Sequence, residues 1–437
     1  MIWKYIKKLK KFIFTDLGKG IIKVIFGQGS GSIINIINMV LLVNILGLEK
    51  NGIIFLALNY SSLFDTFFNF QSYQALIKYI PIFSNKNKLK IKNYIYQAIM
   101  IDLLTAILAF ICSIIFLPII AKYFEWDVNQ IKIIKMATIL IILNIVSVPI
   151  GIFRVYKAFN TLSFLNLLNP TINLILNLIL YFLCFSTMEA FVLAMIVSKF
   201  IFLIFNWLEA IKILKEKDIF SFKIKNLKFE KDFFKFLLMT NLNSSLEIPV
   251  HYLTTFFLGK FLGMVDLAVF KIIEKLGNTI KMFAMVLVQL LSPEISYSLA
   301  QNDKKKAYKI VRNMAMTISV LGGIGILLFC LTYKYWLNIF IFNYNKYLSV
   351  ILLFLIYIIF TQAISLVHSL FIFSGYLKLN ILITLISNII YIFSLYIGLK
   401  HFELKGVIFS LIIQSSLLLG SKIIILKIGE KNYDRIT

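Results

Sequence analysis

Apolar runs of twenty or more residues alternate with short polar connections along the whole chain. About 20 apolar residues are what a helix needs to cross a ~30 Å hydrocarbon core. Twelve such runs can be traced, at 21–46, 52–77, 94–120, 132–153, 162–185, 188–209, 234–258, 264–292, 311–331, 347–372, 379–399 and 405–426. The pattern predicts an all-α integral membrane protein of about 12 transmembrane helices. The longest connection follows the sixth run. It separates an N-terminal six-helix lobe, 1–210, from a C-terminal six-helix lobe, 234–437, with 211–233 as a linker. Within the linker, FSFKIKNLKF alternates with period two and leaves open a short strand or an interfacial segment.

Composition agrees with this reading. Of 437 residues, 60% are hydrophobic and 15% charged, against about 45–50% and 25% in soluble proteins. The opening segment MIWKYIKKLKKFIF is basic and amphipathic, and no small-residue cleavage site follows it, so it is expected to lie on the membrane surface as an uncleaved helix. Lysine and arginine fall on one side of the predicted topology. Lys4 to Lys19, Lys78 to Lys92, Arg154, Lys157, Lys212 to Lys235, Lys304 to Arg312, Lys378, Lys427, Lys431 and Arg435 share it, while Lys50, Lys122, Lys260, Lys334 and Lys400 sit opposite. The positive-inside rule then makes both termini cytoplasmic. The net charge of +25 suits an anionic inner leaflet and requires no nucleic acid.

The eighth run breaks the apolar pattern with Lys271, Glu274, Lys275 and Lys281. A charge facing hydrocarbon costs about 2.5–3.5 kcal/mol on insertion scales, so such residues turn inward or toward water. At 100° per residue, Glu274, Lys275 and Lys281 fall near −60°, +40° and −80° from Lys271, one broad face. Glu274 can neutralise only one neighbouring lysine, so the face stays basic and is expected to line a water-filled cavity that attracts an anion. Lys199, near mid-depth in the sixth run, joins the same set.

Other polar positions recur inside the runs. Gln28, Ser32 and Asn35 share a face of the first, Asn59, Ser62, Asp65, Thr66 and Asn69 one of the second, and Asp102 stands in the third. Such groups either bind helices together through hydrogen bonds or line a lumen, with Asn59, Gln28 and Asn35 as candidate substrate contacts. Glu247 and His251 are one helical turn apart, with Pro249 between them. Such a pair can carry protons or can satisfy itself beside a proline kink; with Asp65 it forms the candidate ion-coupling set.

Several chemistries find no support. No G-x-x-x-x-G-K-[ST] motif exists, so the chain holds no phosphate loop for ATP. Gly27-Gln-Gly-Ser-Gly31 lies in an apolar run with no strand before it and reads as a close helix crossing or a bend. Cys112, Cys184 and Cys330 lack ligand spacing and read as small hydrophobes. His368 and His401 stand alone. Neither catalytic residues, nor a metal site, nor a cofactor is expected.

Gly47-Leu-Glu-Lys-Asn-Gly52-Ile-Ile-Phe55-Leu-Ala57, continuing to Phe70-Gln-Ser-Tyr-Gln-Ala-Leu-Ile-Lys78-Tyr-Ile-Pro81, resembles the second span of the polysaccharide-export flippases of the multidrug/oligosaccharidyl-lipid/polysaccharide exporter superfamily. Gly263 through Lys271, and Ser292-Pro-Glu-Ile-Ser296, occupy the matching place in the second half. The resemblance implies a V-shaped, pseudo-two-fold transporter of the bacterial cytoplasmic (inner) membrane. Its expected activity is to turn undecaprenyl-pyrophosphate-linked oligosaccharide, an O-antigen or capsule-type unit, from the cytoplasmic to the periplasmic leaflet. Membrane lipid, glycan polymerase and chain-length proteins are the implied partners. Two rivals remain. A cation-coupled multidrug exporter would use acidic lumen residues such as Asp65, Asp102 and Glu247. An O-antigen polymerase or ligase would need a large exterior loop, which the short exterior connections do not provide.

Overall fold

The computed structural model describes residues 16–83, 88–219, 229–246, 248–301, 303–341 and 344–433. The basic segment 1–14, nearly all of FSFKIKNLKF, and Glu247 lie outside them. Every regular element among the described residues is a helix. Contacts divide the chain into two compact units, Met1–Ile248 and Pro249–Thr437.

In the first unit, Asp16–Phe68 is helical apart from Gly47. A straight helix of that length would measure ~80 Å, far beyond a bilayer core. The chain turns back instead. The Asn51 amide donates to the Leu42 carbonyl at 2.9 Å and to the Gly47 carbonyl at 2.7 Å, although residues nine apart lie ~13.5 Å apart along a straight helix. Gly47 takes φ 77°, ψ 170°, a region essentially reserved for glycine. Two helices result, α1 (16–46) and α2 (48–68). Gly27 and Gly31 bring α1 against α8 (Phe159–Phe182), where a Cβ would press on the Ser163 backbone and on the Asn166 carbonyl. The glycine-rich stretch is therefore a close helix crossing.

The second apolar run, expected to be one helix over 52–77, is broken. α2 ends at Phe68 and α3 (Ser72–Phe83) begins after Gln71, which has φ 49°. Irregular backbone inside a membrane survives only where protein groups satisfy it. α10 (Lys231–Ser245) does so here. Its Asn241 amide donates to the Phe67 and Asn69 carbonyls, both at 3.0 Å, and its Thr240 hydroxyl donates to the Phe70 carbonyl at 3.1 Å. Phe233 of α10 stacks on Tyr94 of α4 (Lys88–Phe124). The unit's apolar core gathers Leu76, Ile80, Phe153, Leu214, Phe233 and Leu237. α10, assigned from sequence to the head of the second half, thus packs with the first. The fourth run is also segmented, into α5 (Val128–Ala137), α6 (Ile139–Ile142) and α7 (Ser147–Val155), and α9 (Met188–Glu216) completes the unit.

The second unit opens with a π-helical turn, Pro249–Leu253, and α11 (Thr254–Leu262). Gly263 then turns the chain with φ 85°, ψ 177°, nearly the Gly47 conformation, at the matching place in its half. There follow α12 (Met264–Ala300), α13 (Lys304–Phe340), α14 (Leu348–Ala363), α15 (Ser365–Phe373) and the stretch Leu377–Tyr433. The last reverses at Glu403 into α16 (377–402) and α17 (404–433), with Gly398 and Gly406 in backbone contact across the turn. Tyr347, just before α14, donates to the Asp266 carboxylate at 2.7 Å.

Eight helical stretches among the described residues are long and apolar enough to cross a bilayer, and two of these, Phe26–Phe83 and Leu377–Ile428, each hold two passes. α10–α11 and the charged α12 complete the expected twelve.

Candidate functional site

The charged run at 271–281 lies on α12. Lys271, Glu274, Lys275 and Lys281 are all half-buried, none exposed. The Lys271 ammonium meets the Glu274 carboxylate at 2.8 Å, with side-chain exposures of 14% and 21%. Glu274 is the centre of the group. Lys271, Lys281 and His251 all act on its charge, and that charge reaches the buried hydroxyls of Tyr357 on α14 and Tyr391 on α16. Tyr391 is fully buried and hydrogen-bonds Thr254 of α11 at 2.6 Å. The helix packs closely because Gly277 lets Phe354 and Ile358 of α14 sit where a Cβ would be. His251 is exposed, in the π-helical turn, within electrostatic reach of Glu274 from another element. The Glu247–His251 pairing itself lies outside the described residues.

Asp65 and Lys199 belong to a second constellation, within the first unit. The Asn144 amide, in the break between α6 and α7, donates to the Asp65 carboxylate at 2.6 Å. Lys199 on α9 and Asp102 on α4 are both within electrostatic reach of Asp65. Lys199 also lies over the Phe202 ring at 5.2 Å. Ser72 at the head of α3 donates to Asp102 at 2.7 Å and lies 3.1 Å from the Ser147 hydroxyl. Asp65, Asn69, Asp102, Thr105, Asn144 and Ser147 are the polar walls of a small cleft of about 20 Å³. Segmenting the second and fourth passes is what turns their polar side chains toward one space.

The residues singled out by sequence therefore fall into two sets. Lys271, Glu274, Lys275, Lys281 and His251 are in the second unit; Asp65, Lys199, Asn59, Gln28 and Asn35 are in the first. Lys199, grouped from sequence with the α12 lysines, has Asp65 as its electrostatic neighbour instead. Asn59 is buried on α2, and Gln28 and Asn35 are half-buried on α1. On the same helix Asn38 accepts from the Asn177 amide of α8 at 2.6 Å, so polar residues do join these helices. Sequence reasoning missed Asn144, Ser147, Asn241 and a contact between His368 and Lys422. Lys422, inside the apolar run 405–426, was the available signal for the last.

The profile of a family described as polysaccharide biosynthesis protein matches residues 17–299. No curated protein matches the chain. Among solved structures it is similar to the inward-facing conformation of a multidrug resistance MATE family transporter of the MOP superfamily, with TM-score 0.68, 15% identity, and coverage of 93% of this chain and 96% of that one. It is similar also to a MOP superfamily transporter from Pyrococcus furiosus Vc1 (DSM3638), with TM-score 0.65, 15% identity, and 94% and 95% covered. A third, MATE in complex with MaL6, gives TM-score 0.66 at 14% identity over 97% and 99%. At such identities the likeness establishes the fold.

Proposed function

Because the chain belongs to the polysaccharide biosynthesis protein family, we propose that it is a flippase for lipid-linked oligosaccharide. In this reading an undecaprenyl-pyrophosphate-linked O-antigen or capsule-type unit passes from the cytoplasmic to the periplasmic leaflet of the bacterial inner membrane by alternating access. The observation that carries it is the charged run 271–281 of α12, where three half-buried lysines accompany one carboxylate, Glu274, which Lys271 engages. A pyrophosphate cannot cross hydrocarbon with its hydration shell, and a basic face replaces that water with fixed donors. The lipid tail stays in the bilayer throughout. Asn and Gln side chains such as Asn59, Gln28 and Asn35 suit varied sugars through neutral hydrogen bonds.

Lys281 gives the cleanest test, because replacing Lys271 would strand Glu274. A hydrogen bond to a charged group contributes about 1.5–3 kcal/mol. Lys281→Gln should therefore lower surface-glycan display about 10- to 100-fold at unchanged protein level, with Lys281→Arg near wild type. Full display in the Gln variant would remove the α12 lysines from the mechanism.

The Asp65–Asp102 cleft favours a second element, coupling to a cation. A buried carboxylate, Asp102, and a half-buried one, Asp65, beside amide and hydroxyl oxygens offer the hard donors that a proton or alkali cation takes. Asp65→Asn should abolish the dependence of transport on the ion gradient while substrate binding persists. Unchanged gradient dependence would exclude Asp65. A cation-coupled drug exporter would share this cleft, and resistance to cationic drugs with no change in surface glycan would favour it.

A further inference from the structure

α15 and α17 hold a pair of bases that the transport reading does not use. Lys422 is 5% exposed, and its ammonium lies 2.9 Å from Nδ1 of His368. Among the described residues this ring is its one hydrogen-bond partner. When an amine and an imidazole share a proton, the amine holds it, since their usual pKa values are about 10.4 and 6.5. Lys422 therefore donates and Nδ1 accepts, which places the ring's own hydrogen on Nε2. His368 is exposed, so an N–H donor backed by a buried positive charge is presented at the surface of the second unit.

Among the described residues no acidic group acts on either member of the pair. A buried ammonium held by one neutral acceptor is short of compensation. Beside His368, the Ser369 hydroxyl donates to that of Ser292 on α12 at 3.1 Å, since the Ser292 hydrogen goes to the Val288 carbonyl at 2.7 Å, and this ties α15 to α12. The pair sits toward the ends of α12 and α15 that lead into Lys304, Lys305, Lys306 and Lys378, a strongly basic rim.

We propose that Lys422 and His368 form a binding site for phosphoryl oxygens, with His368 Nε2–H as the outer donor and Lys422 as the buried charge. The same chemistry is offered by a pyrophosphate and by the headgroup of an anionic phospholipid. The proposal does not depend on the α12 lysines.

The test uses the intact chain in nanodiscs and reads carbethoxylation of each histidine by peptide mass spectrometry, with the exposed His401 as internal reference. In phosphatidylcholine discs, inorganic pyrophosphate at ten times its half-protecting concentration should slow modification of His368 about tenfold, leaving His401 unchanged. Protection in phosphatidylglycerol discs without pyrophosphate would assign the site to a lipid headgroup. Protection by pyrophosphate alone would assign it to a free or substrate-borne pyrophosphate. No protection in either arm, or equal protection of His368 and His401, overturns the proposal. Lys422→Met, an apolar replacement of similar length, should abolish protection without lowering the melting temperature, and retained protection would overturn the role of Lys422. Should that variant fail to accumulate, the wild-type arms decide. Lys281→Gln should leave His368 protection intact, which separates failure of this site from failure of the flippase reading.

Discussion

At the scale of single residues, the two turning glycines show how much of a resemblance reduces to backbone. Gly47 and Gly263 adopt φ 77°, ψ 170° and φ 85°, ψ 177°, and a Cβ on either would meet nothing within 4 Å. Substitution there costs backbone strain alone, about 1–3 kcal/mol. Gly47→Ala and Gly263→Ala should each lower the melting temperature of the solubilised protein. Gly323→Ala, inside α13 with equally open surroundings, should raise it, because alanine gains about 1 kcal/mol over glycine in a helix. If all three moved together, the turn conformation would not be the reason for glycine. Both turn positions were legible in sequence as a repeated motif. The partner of Gly47 was not. Asn51 caps the Leu42 carbonyl, a contact that exists only once the chain has reversed.

At the scale of elements, hydropathy reports that a segment is long enough to cross a bilayer and says little about whether it crosses as one helix. The second pass reads as continuous over 52–77, yet Asn69, Phe70 and Gln71 leave the helix between α2 and α3. What permits the break is α10, about 170 residues away in sequence, through Asn241 and Thr240. A period-based reading cannot contain that information, because the acceptors lie on one element and the donors on another. The break also has a consequence at the candidate site, since it sets Asp65 and Asn69 beside Asn144 in the cleft. Asn241→Leu keeps the volume and removes both donated bonds. Unpaired buried carbonyls cost about 1–3 kcal/mol each, so the variant should show faster hydrogen exchange over 67–74 and a lower melting temperature. Exchange unchanged in that window would mean that the break is stable without α10.

At the scale of the whole molecule, the count of twelve passes was available from apolar run lengths, and the charged face of α12 from four residues in one run. The boundary between compact units was not, because the long hydrophilic linker marks a gap in hydropathy while the units are defined by packing, which places α10 with the first and the π-helical turn at Pro249 with the second. The lysine distribution predicts a sidedness that can be tested without altering the chain. Cys184 is exposed, in the turn between α8 and α9, at φ 59°, and the proposed topology with cytoplasmic termini would put that turn on the outer face. Cys112 and Cys330 lie within the passes α4 and α13. A membrane-impermeant maleimide added to intact spheroplasts should therefore label Cys184, and opening the membrane should add little. Labelling that appears only after the membrane is opened would invert the topology. The starts of α13 and α16, which carry Lys304 and Lys378, would then face outward, and a pyrophosphate drawn to them would be moving toward the cytoplasm.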